Sequence, residues 1–203
     1  MPENTDSTQG VASRQSATLP AVHYVLDPSI SRFTVRVFAS GVLSAFGHSP
    51  TVAVRDFTGE ASFVADTLEH ASLRVVVQAA SLRVADSISD KDRREIESEM
   101  QQGVLESTRY PEISYECTRV SVNQTANGPI AVSLAGTLTL HGISRGVTVP
   151  AQLALLGDTL RAFGEFQLRQ SDFNIKQVSA IGGGLKVKDE VKVSFDLVAR
   201  KQG

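Results

Sequence analysis

The chain has 203 residues, 41% hydrophobic and 21% charged, with 20 Lys and Arg against 22 Asp and Glu, a formal charge of −2 and a pI near 6.1. That composition excludes wholesale disorder and removes the positive field that nucleic acid or anionic lipid would need. A single cysteine, Cys117, excludes an internal disulfide and a Cys-rich zinc site, and no run approaches the roughly 20 apolar residues of a membrane span.

Residues 1–20 are polar and small, rich in Ser and Thr. They cannot bury enough apolar surface to offset their ordering entropy, so they are read as a disordered tail, with residues 21–203 as one domain. The tail lacks the basic start and apolar run of a secretory signal, and no early cysteine offers a lipid anchor. At face value this predicts a cytoplasmic protein, or a periplasmic one if the chain has been trimmed.

From His23 onward the dominant period is two. Phe33, Val35 and Val37 alternate with Arg32, Thr34 and Arg36. Leu73, Val75, Val77 and Ala79 share one face opposite Arg74 and Gln78. Val132, Leu134, Gly136, Leu138 and Leu140 form a third stripe, and Val191, Val193, Phe195, Leu197 and Ala199 a fourth. Each stripe turns one face to a core and leaves the other wetter. Weaker runs cover 55–63, 112–120, 147–155 and 159–168, with turn signals at Asn127-Gly128-Pro129 and Gly157-Asp158. About eight short strands predict an all-β sandwich or closed antiparallel barrel.

One segment departs from this pattern. Residues 89–102 carry a capping-box start, Ser89 followed by Asp92, strong helix formers, and Gly103 as a stop. This predicts one surface helix resting on the sheet through Ile96 and Met100, its charges solvated. The Arg93-Arg94 pair offers a phosphate contact as the lesser alternative. The Gly182-Gly183-Gly184 run lacks the following Lys-Ser/Thr of a phosphate loop and reads as a plain loop.

The catalytic inventory is thin. His23, His48, His70 and His141 form no HxH, HExxH or HxxxH pair. His48 and His141 both sit at turns. They read first as histidines bonded to backbone carbonyls, with a convergent acid–base or metal site as the alternative. No GxSxG elbow is present. Cys117 reads as a small core residue rather than a nucleophile, and adjacent Asp189 and Glu190 would point to opposite faces of a strand. No catalytic residue, metal ligand or cofactor is assigned.

An eight-stranded barrel is either just filled by its side chains or holds one small ligand. Gly59, Ala61, Gly136, Ala162 and Gly164 interrupt the inward stripes, which argues for open space. The same glycines also fit bulges in a solid core, and the residues alone leave both readings open.

Five pieces of the chain, in order and spacing, resemble the YceI-like family of polyisoprenoid-binding, lipocalin-like proteins. They are Tyr24-Val25-Leu26-Asp27-Pro28-Ser29-Ile30-Ser31-Arg32-Phe33, Tyr110-Pro111-Glu112-Ile113-Ser114-Tyr115-Glu116-Cys117, and the stretch Leu134 to Val147 around Leu138-Thr139-Leu140-His141-Gly142. The last two are Ser171-Asp172-Phe173-Asn174-Ile175 and Val187-Lys188-Asp189-Glu190-Val191. The resemblance implies an extended barrel with an isoprenoid chain or isoprenoid quinone in its lumen, a stress-related transport or storage role, and a homodimer. Strand alternation then nominates Phe33, Val35, Val75, Val77, Leu138 and Phe166 as ligand-contacting wall residues. The leading expectation is a non-enzymatic carrier of a long apolar, lipid-like molecule. Two alternatives remain, an enzyme built on His48 and His141 and a solid-core interaction module.

Overall fold

The computed structural model describes residues 21–40, 50–64, 68, 71–124, 128–176, 179–180 and 185–203. The tail at 1–20, His48, His70 and the glycine run 182–184 lie outside them. In chain order the strands are β1 (Ala21–Leu26), β2 (Arg32–Ser40), β3 (Thr51–Val54), β4 (Phe57–Val64), β5 (Ser72–Gln78) and β6 (Leu82–Val84). After helix α1 (Asp90–Glu99) come β7 (Glu112–Gln124), β8 (Ile130–Leu140), β9 (Ile143–Leu156), β10 (Thr159–Arg169), β11 (Ser179–Ala180) and β12 (Leu185–Gln202). Neighbours run β1-β4-β5-β7-β8-β9-β10-β12, and β12 pairs back onto β1, so eight antiparallel strands close into a barrel.

The long runs appear where period two predicts them. β7 and β9 extend past the expected limits, and the run expected over 55–63 is β4, with β3 a separate short strand before it. Two hairpins owe their tightness to left-handed backbone. His141 (φ 52°) and Gly142 (φ 72°) join β8 to β9, and Gly157 (φ 59°) with Asp158 joins β9 to β10.

Closure depends on β12. Along one edge it pairs with β10 from Glu190 to Arg200. Along the other it pairs first with β2, up to Asp196, and then with β1 from Ala199. At the change of partner the ladder is bridged by the turn between β1 and β2. Val198 N–H donates to Ser31 Oγ (2.9 Å), Ser31 Oγ donates to the Asp27 carbonyl (2.7 Å), and Asp27 N–H donates to the Val198 carbonyl (2.8 Å). The Asp27 carboxylate accepts from Ser29 and from Arg200 on β12 (2.9 Å), which holds it below the usual carboxylate range.

β2, β3 and β6 continue the sheet beyond the barrel, leaving β6 as an edge. Helix α1 and the turn that follows it cover that edge through polar side chains spaced four residues apart. Arg93 donates to the carbonyls of Val84 and Asp86, Glu97 accepts from Val84 N–H (2.9 Å), and Gln101 donates to the Leu82 carbonyl (3.3 Å). This protects unpaired strand groups from other chains. The expected Ile96/Met100 stripe is therefore corrected. Met100 packs on the core, but Ile96 is 38% exposed because the polar row faces the sheet. The Arg93 guanidinium spends one N–H from each terminal nitrogen on these carbonyls. The N-cap half of the expected capping box is present, with Asp92 N–H donating to Ser89 Oγ (3.1 Å), while the Asp92 carboxylate accepts from the Ser89 hydroxyl rather than from its backbone N–H. Gly103 does not stop the helix at once, because a wider π-helical turn, Met100–Val104, follows α1.

Two expectations follow. Ser31→Ala removes both side-chain bonds of the seam and lowers stability by about 1–2 kcal/mol, read by urea denaturation. A Cβ on Gly136 would collide with the Glu116 carbonyl oxygen and stand 2.8 Å from Cys117 Cα, both backbone atoms of β7 that cannot swing aside. Gly136→Ala therefore costs about 3 kcal/mol by the same measurement.

Candidate functional site

The interior is not one continuous core. Buried residues fall into three clusters. One gathers Phe57, Val77, Leu140, Leu105, Phe173 and Ile175 at the end carrying α1. A second holds Cys117, Val132, Leu134, Val149 and Ala151, and a third Tyr24, Phe63, Leu160 and Ala199. Between them lies an apolar lumen with about 120 Å³ of free volume. That is smaller than the usual small-molecule site of about 300–1,000 Å³, and close to an apolar cavity of about 150 Å³ that holds a small aromatic molecule.

The space arises from residue size at inward positions. Ala61 on β4, Ala162 on β10 and Ala199 on β12 line the lumen where larger side chains would fill it, whereas a Cβ on Gly59 would lie 2.9 Å from the Arg74 carbonyl oxygen. Gly136 and Gly164 have a different cause. A Cβ on Gly164 would lie 2.6 Å from the Pro150 carbonyl oxygen and 2.9 Å from the Phe195 ring, so it is a close-approach glycine. Gly136 sits beside the irregularity in β7 between Cys117 and Arg119. The open-space and bulge readings of the small residues thus each apply to different positions.

Phe33, Val75, Val77, Leu138 and Phe166 line the lumen. Val35 does not, although it shares their alternation. It lies on the part of β2 that pairs with β3, half-buried against the cluster beside α1. Alternation over β7, β10 and β12 brings in Ile113, Tyr115, Leu160, Phe195 and Leu197 as well. Their periodicity was readable in the sequence, but their height in the barrel was not.

The wall is nearly all hydrocarbon. Glu60 and Ser114 border the lumen from the outward register, and none of the lining residues is Lys, Arg or His. Tyr115 is the inward residue with a polar atom. Its hydroxyl donates to the Leu134 carbonyl (2.7 Å), with the Val147 carbonyl at 3.3 Å. Burial raises its ionisation well above the ordinary phenol range, with a smaller contribution from Cys117, so it stays protonated. Cys117 is 2% exposed, and burial pushes its thiol up as well, as expected of a core residue and not of a nucleophile.

The other candidate residues are held in structural contacts. His141 Nε2 is 3.0 Å from Glu106 Oε2 and Nδ1 is 3.3 Å from the Phe173 carbonyl oxygen, with the Tyr110 ring against it. The convergence of His48 with His141 involves a residue outside the described ones. Among the described residues no group of three or more His, Cys, Asp or Glu could hold a metal ion. Asp189 accepts from Ser171 N–H and Oγ, while Glu190 pairs with Arg169. Asn174 takes the left-handed backbone (φ 56°) that closes the short 3₁₀ turn Gln170–Phe173, and Phe173 from that turn plugs one barrel end. No helix is long and apolar enough to cross a membrane among the described residues.

This barrel is similar to several solved structures. BcnA of Burkholderia cenocepacia superposes with a TM-score of 0.68 at 19% identity, over 85% of this chain and 98% of that one. A polyisoprenoid-binding domain from Saccharophagus degradans, implicated in plant cell wall breakdown, gives 0.64 at 13% identity, over 88% and 98%. The Campylobacter jejuni YCEI protein gives 0.56 at 14% identity, over 75% and 85%. No curated protein matches the sequence significantly. The model of the YceI-like domain matches residues 24–199, which spans the barrel from β1 to β12. The chain therefore belongs to the YceI-like family.

Proposed function

We propose that this protein binds and carries one long apolar molecule, an isoprenoid or similar lipid, in the barrel lumen. The observation that carries this reading is the lumen itself, an apolar cavity of about 120 Å³ walled by Phe33, Val75, Leu138, Phe166 and their neighbours. A chain threaded there loses contact with water along its length. That gains about 25 cal/mol per Å² of apolar area, less the cost of ordering the chain. An ionised head group inside would meet no cation, so a charged head would have to stay in solvent. Kinship with a fold whose Saccharophagus degradans member is described as polyisoprenoid-binding supports the isoprenoid class. The cavity also separates this reading from that of a solid-core interaction module, which has no use for one.

Filling the lumen tests the proposal. Ala162 lines it from β10 and a larger side chain there projects into open space. Ala162→Phe is expected to weaken binding of a radiolabelled prenol at least about tenfold, equivalent to 1.4 kcal/mol, with the barrel still folded by circular dichroism. Undiminished binding by a folded Ala162→Phe barrel would place the ligand outside the lumen.

A further inference from the structure

The barrel wall is not laddered along its whole height. β9 pairs with β8 from Ile143 to Leu153, and β10 pairs with β12 from Thr159 to Arg169. With each other they pair only where Thr159 to Phe163 meet Leu156 to Gln152. Continued in the same register, Phe166 would stand opposite Val149 and Leu168 opposite Val147, but no rung forms there. From Gly164 to Arg169 the wall has a slit without rungs, about 20 Å long at the usual rise of a strand.

Two residues end the ladder. A Cβ on Gly164 would lie 2.6 Å from the Pro150 carbonyl oxygen, so that carbonyl points toward β10. The nitrogen and carbonyl of a strand residue face the same neighbour, and a proline nitrogen has no hydrogen to give. The rung that Pro150 would make with Glu165 therefore lacks its donor. Beyond it, among the described residues, no ion pair or side-chain hydrogen bond joins β9 to β10. Glu165 and Arg169 turn instead to Lys192 (2.6 Å) and Glu190 (3.9 Å) on β12. A Cβ on Gly146 of β9 would meet nothing within 4 Å. The far end of the slit is tied by Arg145 Nε, which donates to the Asp172 carbonyl of the 3₁₀ turn (3.1 Å).

The slit runs along the lumen. Val149 and Phe166, one on each side of it, both line the cavity, and Val147, Phe166 and Leu168 are only partly buried although they face inward. The two ends of the barrel are better closed. Phe57, Leu140, Phe173 and Ile175 fill one, and Tyr24 stacked on Phe63 (5.4 Å) packs with Leu160 and Ala199 toward the other. A lumen of about 120 Å³ cannot take in a long chain unless its wall yields, and a wall yields first where no backbone bonds hold it.

Resting on the carrier reading above, we infer that the slit between β9 and β10 is the lateral entry to the lumen, where the strands part to let an apolar, prenyl-type chain pass sideways between Val149 and Phe166. Pro150 and Gly164 fix where the parting begins.

The test bridges the slit. Thr148 and Gln167 are exposed and would face each other across it. Thr148→Cys with Gln167→Cys, joined by a short bismaleimide, is compared with a control bridge at Glu116→Cys and Thr137→Cys, which pair on β7 and β8. Uptake of labelled geranylgeraniol, and its release from barrels loaded before bridging, are timed for each. The bridge across the slit is expected to slow both at least about tenfold, while the control bridge changes neither. Retention of ligand by the barrels loaded first shows that the bridged lumen is intact. Exchange at the unbridged rate overturns the inference and leaves the carrier reading standing, and so does equal slowing by the control bridge. If the unbridged wild type takes up no geranylgeraniol, the carrier reading falls and this inference falls with it.

Discussion

The structure depends on one strand serving two partners along a single edge. β12 is 18 residues long, and its two halves face different neighbours, β2 and then β1. A sheet that curls must join its first and last strands, and at that seam a ladder cannot run unbroken. Here the gap is spanned by Ser31 and the Asp27 and Val198 backbone, so few polar groups at the seam are left without partners. Without that seam the sheet would have two open edges and its apolar face would have no enclosed side. The lumen is thus a consequence of closure before it is a matter of side chains.

Side-chain size then decides what closure encloses. Eight strands leave an interior near the limit where ordinary side chains fill it. One end of this barrel is filled by Phe57, Val77, Leu140, Leu105, Phe173 and Ile175, the last three brought by segments outside the eight strands. Farther along, Ala61, Ala162 and Ala199 fall short of the axis and the core divides. A protein selected only for stability would gain by filling that space, since each buried methylene is worth about 0.8 kcal/mol. An apolar void kept open has a physical purpose if a ligand supplies the missing contacts.

Much of this was legible in the chain and some was not, for definite reasons. Alternation marked the long strands because a half-buried strand must repeat every two residues, and it placed Phe33, Val75, Val77, Leu138 and Phe166 on inward faces. The same alternation also nominated Val35, because periodicity gives the face of a strand but not where along the barrel the strand leaves it for β3. β3 and β6 are too short, at four and three residues, to show a period at all. The helix was legible from its cap, yet its docking face was not. Arg93, Glu97 and Gln101 read as a solvated row until the bare edge of β6 is set beside them. The hydrogen bonding of Tyr115 depends on carbonyls of β8 and β9, which no local pattern in β7 reveals.

The central claim is that the lumen exists to hold an apolar molecule. It is tested most directly by organic extraction of the full-length protein isolated gently from its own cells, followed by mass spectrometry with the protein amount quantified. The account predicts one class of long-chain lipid at near one molecule per barrel, released only when the barrel is unfolded or extracted. A barrel that yields no stoichiometric lipid, and that takes up no prenyl-chain compound when offered one, would contradict it.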